Sequence, residues 1–165
     1  MGDEADLAAS VKAVFDKVQE VRGNNPADGP KTDVENTLDT AMIADILGYN
    51  GSMNRGVYKV VIGRPDVNLT EHGAPVSTFM GFNTWASWQG TPEKAAVAGD
   101  FTMLADEVAP VIKALVENGI EVVAVHNHMV HEEPRIFFLH YWGTGQVEKL
   151  ARGLRAALDH TQKRK

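Results

Sequence analysis

Four of the six histidines lie between residues 126 and 140. They are His126, His128, His131 and His140, with Glu132 and Glu133 among them. Imidazole is the commonest protein ligand for transition metals, and carboxylate is a natural companion. The concentration points to a divalent transition metal. Zinc fits best among redox-inert ions, with copper, nickel and iron close behind. Such an ion would activate water or polarise a substrate oxygen, and Glu133 or Glu132 would move protons.

Strand geometry sharpens this expectation. Side chains alternate along a strand, so His126 and His128 share a face. If the connection turns about Glu132, Ala124 sits opposite His140, and His140 joins that face. His126 and His140 are then diagonal neighbours at roughly 5–8 Å. His128 and His140 would be about 13 Å apart along a continuous strand. A site of His126, His128 and His140 therefore needs twist or a bulge. His126 and His128 completed by a loop carboxylate, or by His72, is the other arrangement. A slip of one residue would turn His140 to the opposite face.

A second constellation is aromatic and polar, running from Met80 to Trp88. Alternation puts Phe82, Thr84, Ala86 and Trp88 on one face and Gly81, Asn83, Trp85 and Ser87 on the other. Asn83 and Trp85 read either as the wall of a small-molecule pocket or as sheet packing. Trp142 belongs with them as a ligand-binding candidate. Asp100 stands in an otherwise apolar strand and needs partners if buried, as a site residue or a strand-end cap. Arg135 clamps an anion or pairs with Glu132 or Glu133.

The elements that must position these residues follow from periodicity. Leu7, Val11, Val14, Phe15 and Val18 predict a helix over 4–21. A turn-rich linker runs from Gly23 to Pro30, so the helix is either an appendage or packs on the core. A capping box at Thr32–Glu35 starts a second helix, ended by Gly48. Strands are expected at 57–63, 78–88 and 95–104, a helix at 107–117, strands at 122–128 and 135–142, and a final helix at 146–161. The order ααβββαββα predicts an α+β fold, a mostly antiparallel sheet of about five strands with helices packed against it. Residues 1–30 form the helix and linker, and 31–162 the single domain. One sheet face left without helices would be partly apolar, through Ala124, Ile136, Phe138 and Trp142. Such a face points to a homodimer.

Composition narrows the classes. The net charge is −6, which removes the electrostatic footprint of a nucleic-acid binder. There is no cysteine, so thiol nucleophiles and Cys-ligated metals are excluded. No apolar run approaches the roughly 18 residues that span a bilayer, so no membrane insertion is expected. The start Met1-Gly2-Asp3-Glu4 lacks a signal peptide, which reads as cytoplasmic or as the mature form of an exported chain. Nucleotide-binding glycine motifs and the Gly-x-Ser-x-Gly hydrolase motif are absent from the sequence.

The segments His126-Asn127-His128-Met129, Glu133-Pro134-Arg135 and Phe138-Leu139-His140-Tyr141-Trp142-Gly143, with Met80–Trp85 and Gly99-Asp100, resemble the bacterial LppY/LpqO family, also called DUF1259. The resemblance spans roughly residues 33–160. It implies a domain of uncharacterised function, often exported and often present in two copies per chain. A single copy here implies that two chains associate. The leading expectation is a metal-binding domain with a small-molecule site, as an enzyme or as a non-catalytic binding module; a scaffold with structural histidines is the third reading.

Overall fold

The computed structural model describes residues 3–23 and 36–161. The chain divides into two units, Met1–Asp33, which holds the first helix, and Val34–Lys165. The first helix, α1 (Glu4–Arg22), starts at Asp3, whose carboxylate accepts from the Ala5 N–H at 2.9 Å. Its span matches the apolar periodicity. Apart from Gly23, the expected linker lies outside the described residues, as does the Thr32–Glu35 capping box.

In the second unit, α2 (Thr40–Leu47) begins later than the periodicity implied. Asn36 explains the delay. Its amide donates to the Gly56 carbonyl at 2.6 Å, its side-chain oxygen accepts from Gly90, and Thr37 N–H donates to the Gly90 carbonyl. These bonds tie residues 36–37 to two hairpins, so Asp39 becomes the cap, accepting from Met42 N–H at 2.9 Å. Gly48, at φ +78°, ends the helix in the left-handed conformation glycine tolerates.

The strands are β1 (Gly51–Asn54), β2 (Val57–Gly63), β3 (Thr70–Glu71), β4 (Ala74–Pro75), β5 (Asn83–Gly90), β6 (Ala95–Met103), β7 (Glu121–His126), β8 (Glu132–Glu133) and β9 (Phe137–Gly145). The remaining helices are α3 (Val108–Glu117) and α4 (Val147–Leu158). One antiparallel sheet has the order β1-β2-β5-β6-β9-β7, and a small one the order β4-β3-β8. The fold is α+β, as the element order implied. The additional strands β1, β3, β4 and β8 are too short to show a period-2 pattern. Residues 78–80 form a 3₁₀ turn rather than the start of β5, and Phe82 leaves the face of Thr84, Ala86 and Trp88 to join a second cluster.

Helices α2, α3 and α4 bury the main sheet's inner face. Tyr58, Val60, Trp88, Val97, Phe101, Leu139 and Tyr141 pack there with Ile43, Leu47, Leu115, Leu150 and Leu154. Gly99 faces the same core because Tyr141 lies across it. A β-carbon at Gly99 would collide with the Tyr141 hydroxyl and the Trp85 carbonyl. The hydroxyl donates to that carbonyl at 3.0 Å.

Arg64, just beyond the end of β2, is a buried clamp. Its side chain is 0% exposed. It donates to Glu107 at 2.7 and 3.0 Å, to Asp66 at 2.8 and 3.0 Å, and to the Thr102 carbonyl at 2.9 Å. It thereby joins the end of β2 to β6 and to the start of α3. Arg64→Ala is expected to cost about 3–5 kcal/mol in urea unfolding, because Glu107 loses its partner. Hydrogen bonds from Arg64 hold the Asp66 carboxyl below its ordinary value. Their contribution is therefore present above the ordinary Asp pKa and lost as pH falls through the lowered folded value. The acid slope of stability should shrink in Arg64→Ala. An unchanged unfolding midpoint in that variant would show that the clamp contributes nothing.

Candidate functional site

The site is built on three strands. In the β6–β9 ladder Asp100 pairs with His140, and in the β7–β9 ladder Ala124 pairs with His140 and His126 with Phe138. Inner residues Leu139 and Tyr141 alternate with outer residues Phe138, His140 and Trp142. Asp100, His140 and His126 therefore share the face away from the helices, in the register that brings His126 and His140 together. Their Nε2 atoms are 2.8 Å apart, with ring centroids at 4.7 Å.

Strand β7 ends at His126 and does not continue to His128. The Asn127 side-chain amide donates to the Ile136 carbonyl at 2.5 Å, closing the loop. His128 stacks on Phe138, with centroids 3.5 Å apart and planes 12° apart. Its ring lies 5.1 Å from that of His126. The separation of a continuous strand therefore does not apply. Sequence reasoning missed Asn127 and the stacking role of Phe138; Asn127, between two histidines, was the available signal.

Asp100 is buried within β6 and is not a strand-end cap. It is 3% exposed, and its Oδ1 has no hydrogen-bond partner. That oxygen is 3.8 Å from His140 Nδ1. Burial raises the Asp100 carboxyl above its ordinary range, against the pull of His140, His128 and His126 and a Leu139 backbone hydrogen bond. Burial also lowers the His128 imidazole; His126 and His140 add to this, and Asp100 opposes it. Burial, with the Asp100 charge behind it, pushes the Tyr141 phenol up.

A roof explains why Asp100 is buried on the outer face. Leu69, Phe82, Ile136 and Phe138 form a second apolar cluster, joined by Val67, Val76, Leu104 and Met129. It covers the Phe138 end of the outer face, and fully buried Thr102 lies opposite Phe138. Asp100 and His140 stand one step further along, where the cover ends; beyond them Trp142 is 43% exposed.

Of the other candidates, Trp85 lies opposite Asp100 on β5, and the rest sit further away. His72 occupies the β3–β4 turn at φ +50°, with its ring 4.6 Å from His131 and its Nε2 3.5 Å from Glu71. Glu132 is buried and pairs with Arg135 at 3.0 Å. Burial would raise its carboxyl, but backbone N–H groups and Arg135 prevail and hold it low. Glu133 is exposed. The carboxylate beside His140 is thus Asp100, and Arg135 makes the expected ion pair. The Asn83 amide donates to the Thr78 carbonyl at 2.7 Å, and Lys59 Nζ lies 4.3 Å from the Trp85 ring centroid. Among the described residues, no three His, Asp or Glu side chains are arranged to hold an ion.

The Nε2–Nε2 contact accommodates one proton, so one ring donates and the other accepts. The Asp100 charge, 3.8 Å from His140 Nδ1, favours a proton there and a lone pair at His140 Nε2, against the Asn127 carbonyl 3.4 Å from His126 Nδ1, which favours the reverse. A carboxylate behind a histidine in this way is the common outer partner of a metal-ligating imidazole.

These features define an α+β domain with helices on one side of its sheet and an imidazole–carboxylate cluster on the other. A family model described as a Domain of Unknown Function (DUF1259) matches residues 41–160, and the chain belongs to that family. Neither a curated protein nor a solved structure gives a significant match.

In metal-free protein, nitrogen-15 spectra of the imidazoles should place the His140 proton on Nδ1 near neutral pH. Asp100→Asn should shift that tautomer balance measurably while the fold is retained. Identical His140 signals in both proteins would remove Asp100 from the site.

Proposed function

We propose that this chain is a metal-binding domain with a small-molecule site on the open sheet face. His126 and His140 are the primary ligands, Asp100 is the carboxylate that orients His140, and His128 becomes the third ligand when its ring leaves the Phe138 stack. The observation that carries the reading is the 2.8 Å approach of two imidazole Nε2 atoms with a buried, unpartnered carboxylate oxygen behind one ring. Imidazoles with a carboxylate suit zinc, then copper, nickel or iron. If the domain is an enzyme, proton movement falls to Asp100 and His140 rather than to Glu132 or Glu133. The 2.8 Å contact also favours a second reading, an acid–base pair that works through the shared proton without a metal.

Within DUF1259, the Gly99-Asp100 and His126–Gly143 motifs support the LppY/LpqO group with a single copy of the repeat.

Metal content of untagged protein, exposed to zinc, copper, nickel or iron and then dialysed, tests the proposal. Near-stoichiometric binding is expected in the wild type. His126→Ala or His140→Ala should lose about 100-fold or more in affinity, and Asp100→Asn about 10–100-fold. Absence of binding for all four ions would leave the proton-sharing pair as the working reading.

A further inference from the structure

The outer face of β6 is a trough. Its outward residues beyond Asp100 are Ala98 and Ala96, both only partly buried. Its neighbours carry larger groups. Trp85 lies opposite Asp100 on β5, and Trp142 opposite Ala98 on β9. β5 and β9 are two strand spacings apart, about 10 Å, so the two indoles stand diagonally across β6, Trp85 level with Asp100 and Trp142 level with Ala98. Lys59 reaches the Trp85 ring from β2, the side away from the trough. From Asp100 to Ala96 the floor runs four residues, about 13 Å. It ends in a depression of about 460 Å³ lined by Gln89, Thr91, Lys94, Ala96 and Thr144.

We infer that this trough binds a saccharide, with pyranose rings between Trp85 and Trp142 and one end of the chain at Asp100. The inference rests on reading the open face as the small-molecule site. A sugar ring has an apolar face for an indole and hydroxyl edges for polar neighbours. The trough supplies both. Ser87, Gln89 and Thr144 face outward beside the floor and offer hydroxyl and amide partners to the sugar's edge.

Tryptophan fluorescence and calorimetry test this with neutral hexasaccharides: cello-, xylo-, malto- and chito-oligomers. Zinc-free and zinc-loaded protein are titrated in parallel. At least one sugar should bind saturably in both forms. Trp142→Ala and Trp85→Ala should each weaken it about tenfold or more. Ala98→Phe, which fills the floor and leaves both indoles, should do the same. Failure of every sugar, or equal binding by wild type and all three variants, overturns the inference. So does a wild-type dimer that Trp142→Glu converts to monomer. Zinc content measured on the same samples separates the two proposals: sugar binding without metal defeats only the metal reading, and metal without sugar binding defeats only this one.

Discussion

The burial of alternate residues of β6 and β9 beneath the helices is the constraint on which the site depends. Val97, Phe101, Leu139 and Tyr141 must all point inward to complete the core. Because strand side chains alternate, Asp100 and His140 then have only the opposite face. A slip of one residue in either strand would expose several large apolar groups, at about 1.5–3 kcal/mol each. The register that puts a carboxylate beside an imidazole is thus held by residues that take no part in the chemistry.

Gly99 shows how closely core and site are coupled. Tyr141 crosses the position a side chain would occupy and bonds to the Trp85 carbonyl. One residue later, on the other face, Asp100 meets His140. The core side of this pair fixes the backbone, and the outer side displays the carboxylate. Arg64 acts similarly at the roofed end of β6, tying β2, β6 and α3 through one buried guanidinium.

The outer face is divided rather than uniformly exposed. A small three-stranded sheet and the apolar cluster around Phe138 cover one end, and the alanine-floored trough lies at the other. Asp100, His126 and His140 occupy the boundary. There a carboxylate is desolvated while the imidazoles remain within reach of solvent, which is where shifted protonation and ligand access coexist.

Much of this was legible from local pattern. The α+β order, the limits of β2, the stop at Gly48 and the meeting of His126 with His140 follow from periodicity, turn residues and alternation, which act over a few residues of chain. Three features were not legible. His128 leaves the strand line because Asn127 bonds to Ile136 and Phe138 offers a stacking surface. His72 goes to His131 because a hairpin turn carries it there. Asp100 rather than Glu132 is the carboxylate beside His140, because the roof buries it there while Arg135 and backbone N–H groups engage Glu132. By itself the sequence determined the element types and which residues share a strand face, since both depend on near neighbours. Only the tertiary structure decided which outward residues are covered, because Val67, Leu69 and Val76 are distant in the chain from β6 and β9 and meet the sheet only when it has folded.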